Sequence, residues 1–143
     1  MIVVDTNVVS EAMKAEPAPA VIAWLNGQRA RSLYSTAINV SELRFGIERL
    51  PEGARKTALW SSYEFTVGRL FGPRILPFDR VAAEEAARIA TRAEAVGKTL
   101  GIADGQIAAI SKIHGFVVAT RDVQPFLDAG IEVLDPWTAS PEL

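Results

Sequence analysis

The chain has 143 residues, of which 49% are apolar and 22% charged, with a formal net charge of −2 and no cysteine. These values exclude disulfide frameworks, thiolate zinc sites and cysteine nucleophiles, and they oppose non-specific duplex binding driven by counterion release. The length fits one domain, residues 1–143, with a full core; neither a basic leader nor a long apolar run is present, so a cytoplasmic protein without membrane contact is expected.

Ile2-Val3-Val4 is a short, wholly apolar run that predicts a strand covered on both faces, and Asp5 then stands where that strand meets solvent. Thr6 to Lys14 reads as a helix capped by Thr6 or Asn7, and a loop leads to a second helix from Pro19 to Asn26, ended by Gly27. Ser32 to Thr36 is the second strand. Asn39 to Leu50 carries Val40, Leu43, Ile47 and Leu50 at helical spacing, which puts Glu42 in the first turn of a helix stopped by Pro51 and Gly53. Glu52 to Leu70 predicts one longer helix.

Ile75 to Phe78 is extended, with Pro77 marking an edge. Asp79 caps a helix that runs to Val96, and Gly101 to Gly105 leads into another in which Ala103, Ile107, Ile110 and His114 share a face, with Gly115 at its end. Phe116 to Thr120 is a further apolar strand followed by Arg121 and Asp122, and Ile131 to Leu134 is the last strand. Strands alternating with helices predict an α/β fold with a central, mostly parallel sheet flanked by helices on both faces.

Four acids occupy equivalent places in this pattern. Asp5 and Asp122 follow strands at their carboxyl ends, and Glu42 and Asp104 open helices, so all four face the same end of the sheet. Two carboxylates about 5 Å apart repel by roughly 3 kcal/mol at an effective dielectric near 20, so the cluster requires protons or a cation. An all-oxygen donor set suits Mg²⁺ or Mn²⁺, whereas zinc would have only His114 as a nitrogen ligand. Such a site performs hydrolytic phosphoryl chemistry through metal-activated water, without a protein nucleophile. Arg121, beside Asp122, is a candidate phosphate contact.

Ile-Val-Val-Asp-Thr-Asn at residues 2–7, Asn-Val-Ser-Glu-Leu at 39–43, Ile-Ala-Asp-Gly-Gln-Ile-Ala-Ala at 102–109 and Val-Ala-Thr-Arg-Asp at 118–122, in this order, resemble the PIN-domain ribonucleases. More narrowly they resemble the VapC toxins of bacterial toxin–antitoxin pairs, in the FitB-like subgroup, as do residues 74–79 and Asp135-Pro136-Trp137. The resemblance spans essentially the whole chain. It implies a PIN-like fold and a Mg²⁺- or Mn²⁺-dependent endoribonuclease with RNA as substrate. Asp5, Glu42, Asp104 and Asp122 become metal-holding residues, with Asn7 and Thr120 in supporting roles. Many relatives carry a second acid two residues after Asp122, where this chain has Gln124. The resemblance also implies a cognate antitoxin with a DNA-binding N-terminal part, operator DNA reached only through it, and a homodimer within a larger hetero-oligomer.

Plainer readings stand beside these. Asp5 serves equally as a helix cap, Glu42 as a capping-box partner of Asn39, Asp104 as a first-turn acid favoured by the helix dipole, and Asp122 as a turn residue. Trp24 and Trp60 read as core or interface, Trp137 as a tail residue against the last strand, and His114 as structural. An aspartyl-phosphate enzyme using Asp5 is a rival. Its phosphatase form wants an aspartate where Asn7 stands, and its receiver form wants an acidic pair that is missing. The other rival is a catalytically weak PIN module acting through its antitoxin in operon autoregulation.

Overall fold

The computed structural model describes residues 1–139. Alternation along an extended chain sends Val3 to one face of the sheet and Val4 to the other, and both are buried. This is why strand β1, Ile2–Val4, carries no polar residue. Val3 packs with Ile107, Val118, Phe126 and Ile131, while Val4 packs with Val8, Val21, Leu43, Ile47 and Phe71. One three-residue strand thus nails two separate cores together.

Four further strands complete the sheet among the described residues: β2 Leu33–Thr36, β3 Ile75–Leu76, β4 Val117–Ala119 and β5 Val133–Leu134. Their order is β3-β2-β1-β4-β5 and every pairing is parallel. The chain turns to one side of β1 for β2 and β3, then returns to the other side for β4. The crevice beside the carboxyl ends of β1 and β4 is therefore the topological switch point, where open α/β sheets bind ligands.

The Val4 face is covered by α1 Thr6–Ala12, α2 Pro19–Asn26, α3 Ala37–Glu48 and α4 Ala54–Tyr63. The Val3 face is covered by α5 Arg80–Ala95, α6 Ile102–His114 and α7 Val123–Asp128. Between α5 and α6, the buried Glu85 receives Lys112 Nζ at 3.2 Å and Arg88 Nε at 2.9 Å. The expected parallel α/β architecture holds, with Asp79 capping α5 through the Ala82 N–H at 3.0 Å. Gly115 ends α6 at φ +71°, a left-handed position that favours glycine.

Several local expectations are corrected. Asp5, not Thr6 or Asn7, caps α1, because its carboxylate takes the Thr6 N–H at 2.8 Å. Helix α3 begins at Ala37 under a Thr36 cap, so Glu42 lies in its second turn and not its first. The single helix expected over Glu52 to Leu70 is two: α4 stops at Tyr63, and Glu64–Phe71 continues as a π-helix. Helix α7 was not foreseen; Pro125 sits in its first turn, where a missing N–H costs nothing. His114 lies exposed at the end of α6, against Phe116 at 5.5 Å between ring centres, rather than on the buried face. Trp24 is core, and Trp137 packs beside the Val4 cluster rather than on β5.

Ile107 is the α6 residue that seats this helix, and with it Asp104, on the sheet. Ile107→Ala should cost about 2–5 kcal/mol of stability, read as a lower urea midpoint at unchanged slope. A loss below about 1 kcal/mol would contradict this packing account.

Candidate active site

Asp5 ends β1 with a backbone bond from its N–H to the Ala119 carbonyl at 2.9 Å, so it is held at the seam between β1 and β4. Its carboxylate is buried and accepts three hydrogen bonds. Oδ1 accepts the Thr6 N–H at 2.8 Å and Asn39 Nδ2 at 3.0 Å, and Oδ2 accepts the Thr120 hydroxyl at 2.8 Å. Burial pushes the Asp5 pKa up, and Asp122 adds to the rise, against the lowering effect of these three bonds.

Thr120, also fully buried, is the hub on the β4 side. Its hydroxyl oxygen accepts Asn7 Nδ2 at 3.1 Å and the Asp122 N–H at 3.1 Å while its proton goes to Asp5. Asn7 in turn accepts the Arg121 N–H at 3.2 Å. Asn7 and Thr120 therefore fix the turn that carries Asp122 against the strand end that carries Asp5. The Arg121 side chain instead lies over the Trp137 ring, 5.0 Å from its centre.

Glu42 reaches the group from α3, with Oε1 accepting the Thr6 hydroxyl at 2.7 Å. Asp104 stands in the first turn of α6, as expected. Its pKa is pushed up to about 6, chiefly by burial and then by the charges of Asp5, Asp122 and Glu42. The four predicted acids are therefore electrostatic neighbours. Gln124 takes no part, since its amide donates to Asp128 at 2.8 Å on α7 itself.

Thr6, Thr36 and Asn39 were not foreseen as members of this group. The available signal was that Asn39 lies one turn before Glu42 and so shares its helix face. A Cβ on Gly101 would lie 3.5 Å from Asp104 Oδ2, and one on Gly105 3.4 Å from Leu100 Cδ2, so crowding within the chain requires neither glycine.

Among the described residues, no three acidic or imidazole groups already converge at metal-ligand spacing. The donor set nonetheless fits a hard divalent cation: carboxylate and hydroxyl oxygens only, with Asp104 held high by burial and by three like charges. A zinc site is not served, because the exposed His114 is remote from the group at the far end of α6.

The raised Asp104 pKa gives a pH signature. A carboxyl whose folded pKa is raised favours the folded state at low pH, and that contribution disappears as pH climbs from 3.8 to about 6. Carboxyl-carbon NMR of the metal-free protein should show Asp104 titrating near 6, lower in Asp122→Asn. Asp104→Asn should flatten the stability profile across that window. An ordinary midpoint near 4 would contradict the clustering.

The PIN-domain family model matches residues 2–131. VapC ribonuclease Y4jK of Sinorhizobium fredii is 47% identical over 137 residues, covering 96% of this chain and 98% of that protein. Toxin FitB of Neisseria gonorrhoeae is 42% identical over 137 residues, covering 96% of this chain and 99% of the other. Among solved structures, FitAcB from Neisseria gonorrhoeae superposes with a TM-score of 0.91 at 42% identity, covering 97% of this chain and 100% of that one. FitAB bound to the IR36 DNA fragment superposes with a TM-score of 0.92 at 41% identity, covering 98% of each chain. With its parallel sheet and its acids gathered at the carboxyl ends of the strands, the chain belongs to the PIN-domain family.

Proposed function

We propose that this chain is a divalent-cation-dependent endoribonuclease and the toxin of a toxin–antitoxin pair. The observation that carries the reading is Asp104, pushed up to about 6 by burial and by the charges of Asp5, Asp122 and Glu42. Such a group binds a proton or a cation, and its donors favour Mg²⁺ or Mn²⁺. Asp5, Glu42, Asp104 and Asp122 hold the metal, with Asp122 acting alone on its loop because Gln124 turns to Asp128. When bound, the cation supplies Lewis acidity toward water and toward the phosphate oxygens of RNA.

The chain's own residues position these groups. The Thr6 N–H, Asn39 and Thr120 fix both Asp5 oxygens, so this carboxylate presents its one remaining lone pair, on Oδ2, in one orientation. Asn7 holds the Thr120 hydroxyl and the Arg121 backbone together. Arg121 contacts an RNA phosphate once its side chain swings from Trp137. Asp5 itself is no phosphoryl acceptor in this reading, since each of its oxygens is hydrogen-bonded within a buried setting.

The toxin role draws on likeness to toxin FitB and to the FitAB and FitAcB structures. The partner is an antitoxin with a DNA-binding N-terminal part, through which alone the complex reaches operator DNA. An apolar groove of about 590 Å³ among Val9, Met13, Ile22, Leu25 and Phe65 is available to its tail. The chain works as a homodimer inside a larger cytoplasmic hetero-oligomer. No helix among the described residues is long and apolar enough to cross a membrane.

The test is cleavage of a mixed RNA pool by antitoxin-free protein with and without Mg²⁺ or Mn²⁺. Cutting should require the metal and should fall at least about 100-fold in Asp104→Asn. Metal-independent cutting, or an unaffected variant, would overturn the mechanism. Folded protein that cuts nothing would leave the binding-module role, exerted through the antitoxin.

A further inference from the structure

The geometry points to Asn39 as a positioning residue that couples the Asp5 and Glu42 carboxylates through the Thr6 hydroxyl, an inference that rests on the metal-dependent reading above. Asn39 is the third residue of α3 and is wholly buried. Its Nδ2 donates to Asp5 Oδ1 at 3.0 Å and to Thr6 Oγ1 at 3.0 Å. Its Oδ1 accepts the Thr36 hydroxyl at 2.6 Å, and its backbone N–H donates to the same hydroxyl oxygen at 3.2 Å. Every polar atom of the side chain is used.

The direction of each bond is fixed. An ionised carboxylate only accepts, so the amide nitrogen must face Asp5 and the amide oxygen must face Thr36. Thr6 receives one of the two amide protons, which leaves its single hydroxyl proton for Glu42 Oε1 at 2.7 Å. The bonds therefore run one way, from Thr36 through Asn39 and Thr6 to Glu42, with a branch from Asn39 to Asp5. Aligned bonds of this kind polarise one another in a low-dielectric site.

Helix capping does not account for this arrangement. Capping α3 needs only the Thr36 hydroxyl on the Asn39 N–H, a bond that any residue at position 39 except proline would supply. The Asn39 amide oxygen takes the proton of that hydroxyl at 2.6 Å, but the cap makes no use of the amide nitrogen. Instead it crosses from α3 to the β1–α1 junction, 34 residues away at Asp5 and 33 at Thr6. Two like-charged groups free to rotate would turn apart; one amide and one hydroxyl keep both facing the same place.

Partners of this kind typically change metal affinity by about 10–100-fold when removed. Calorimetric titration of the full chain with Mn²⁺, without RNA, reads that quantity directly. Thr6→Val keeps the shape and the backbone N–H to Asp5 but deletes the hydroxyl, and should weaken Mn²⁺ binding about 10–100-fold with little change in melting temperature. Thr6→Ser restores the hydroxyl and should restore wild-type affinity. Asn39→Leu should weaken binding as well, and the double variant with Thr6→Val should lose less than the product of the two, because one relay is broken twice. If Asn39→Leu fails to fold, the two Thr6 variants decide alone. Wild-type affinity in Thr6→Val, or equal weakening in Thr6→Ser, overturns the coupling while the nuclease reading survives. Wild-type protein that binds no Mn²⁺ overturns the reading and this inference together.

Discussion

Asp104 is partly buried beside the charges of Asp5, Asp122 and Glu42, and this desolvation, with the repulsion added to it, is what the surrounding structure is arranged to withstand. Asp5 is deeper still, at only 5% exposed. A hydrogen bond to a charged group contributes about 1.5–3 kcal/mol, so the three that Asp5 receives offset much of its burial without removing its charge. None of them comes from lysine or arginine. Neutral donors hold the anion in place, and its charge remains available to a cation.

The rigidity needed for that comes from the sheet. β1 is three residues long and would not persist alone, yet Val3 and Val4 anchor it in two cores at once. Asp5 follows directly and is tied to β4 through Ala119. Thr120, one residue beyond β4, then closes the seam from the other strand. Glu42 and Asp104 arrive on helices seated by Leu43 and Ile47 on one face and by Ile107 and Ala108 on the other. The acids thus sit on elements whose positions are set by burial, the arrangement that gives a site its precision.

Much of this was legible in the sequence, and what was not has physical causes. An apolar run ending in a carboxylate announced β1 and Asp5, because a strand buried on both faces leaves polar residues only at its end. Helix starts were less legible: Ala37 and Ile38 carry no start signal of their own, and the Thr36 cap is also the last residue of β2. Glu42 was therefore placed one turn early, although its side of the helix was unchanged. The π-helical stretch after Tyr63 escaped because its apolar residues also satisfy ordinary helical spacing. Helix α7 is too short for periodicity, and only Pro125 near its start and Gly130 after its end marked it. Asn39 was read as a local cap because sequence alone cannot show that its amide reaches a residue 34 positions away.

Whether these four carboxylates form one cation site can be read from a crystal of the protein grown with Mn²⁺ and examined by anomalous scattering. An anomalous peak is expected within coordinating distance of Asp5 and Asp104, with Glu42 and Asp122 beside it. No peak there, or a peak held by other residues while the four acids stand without metal, would contradict a shared site.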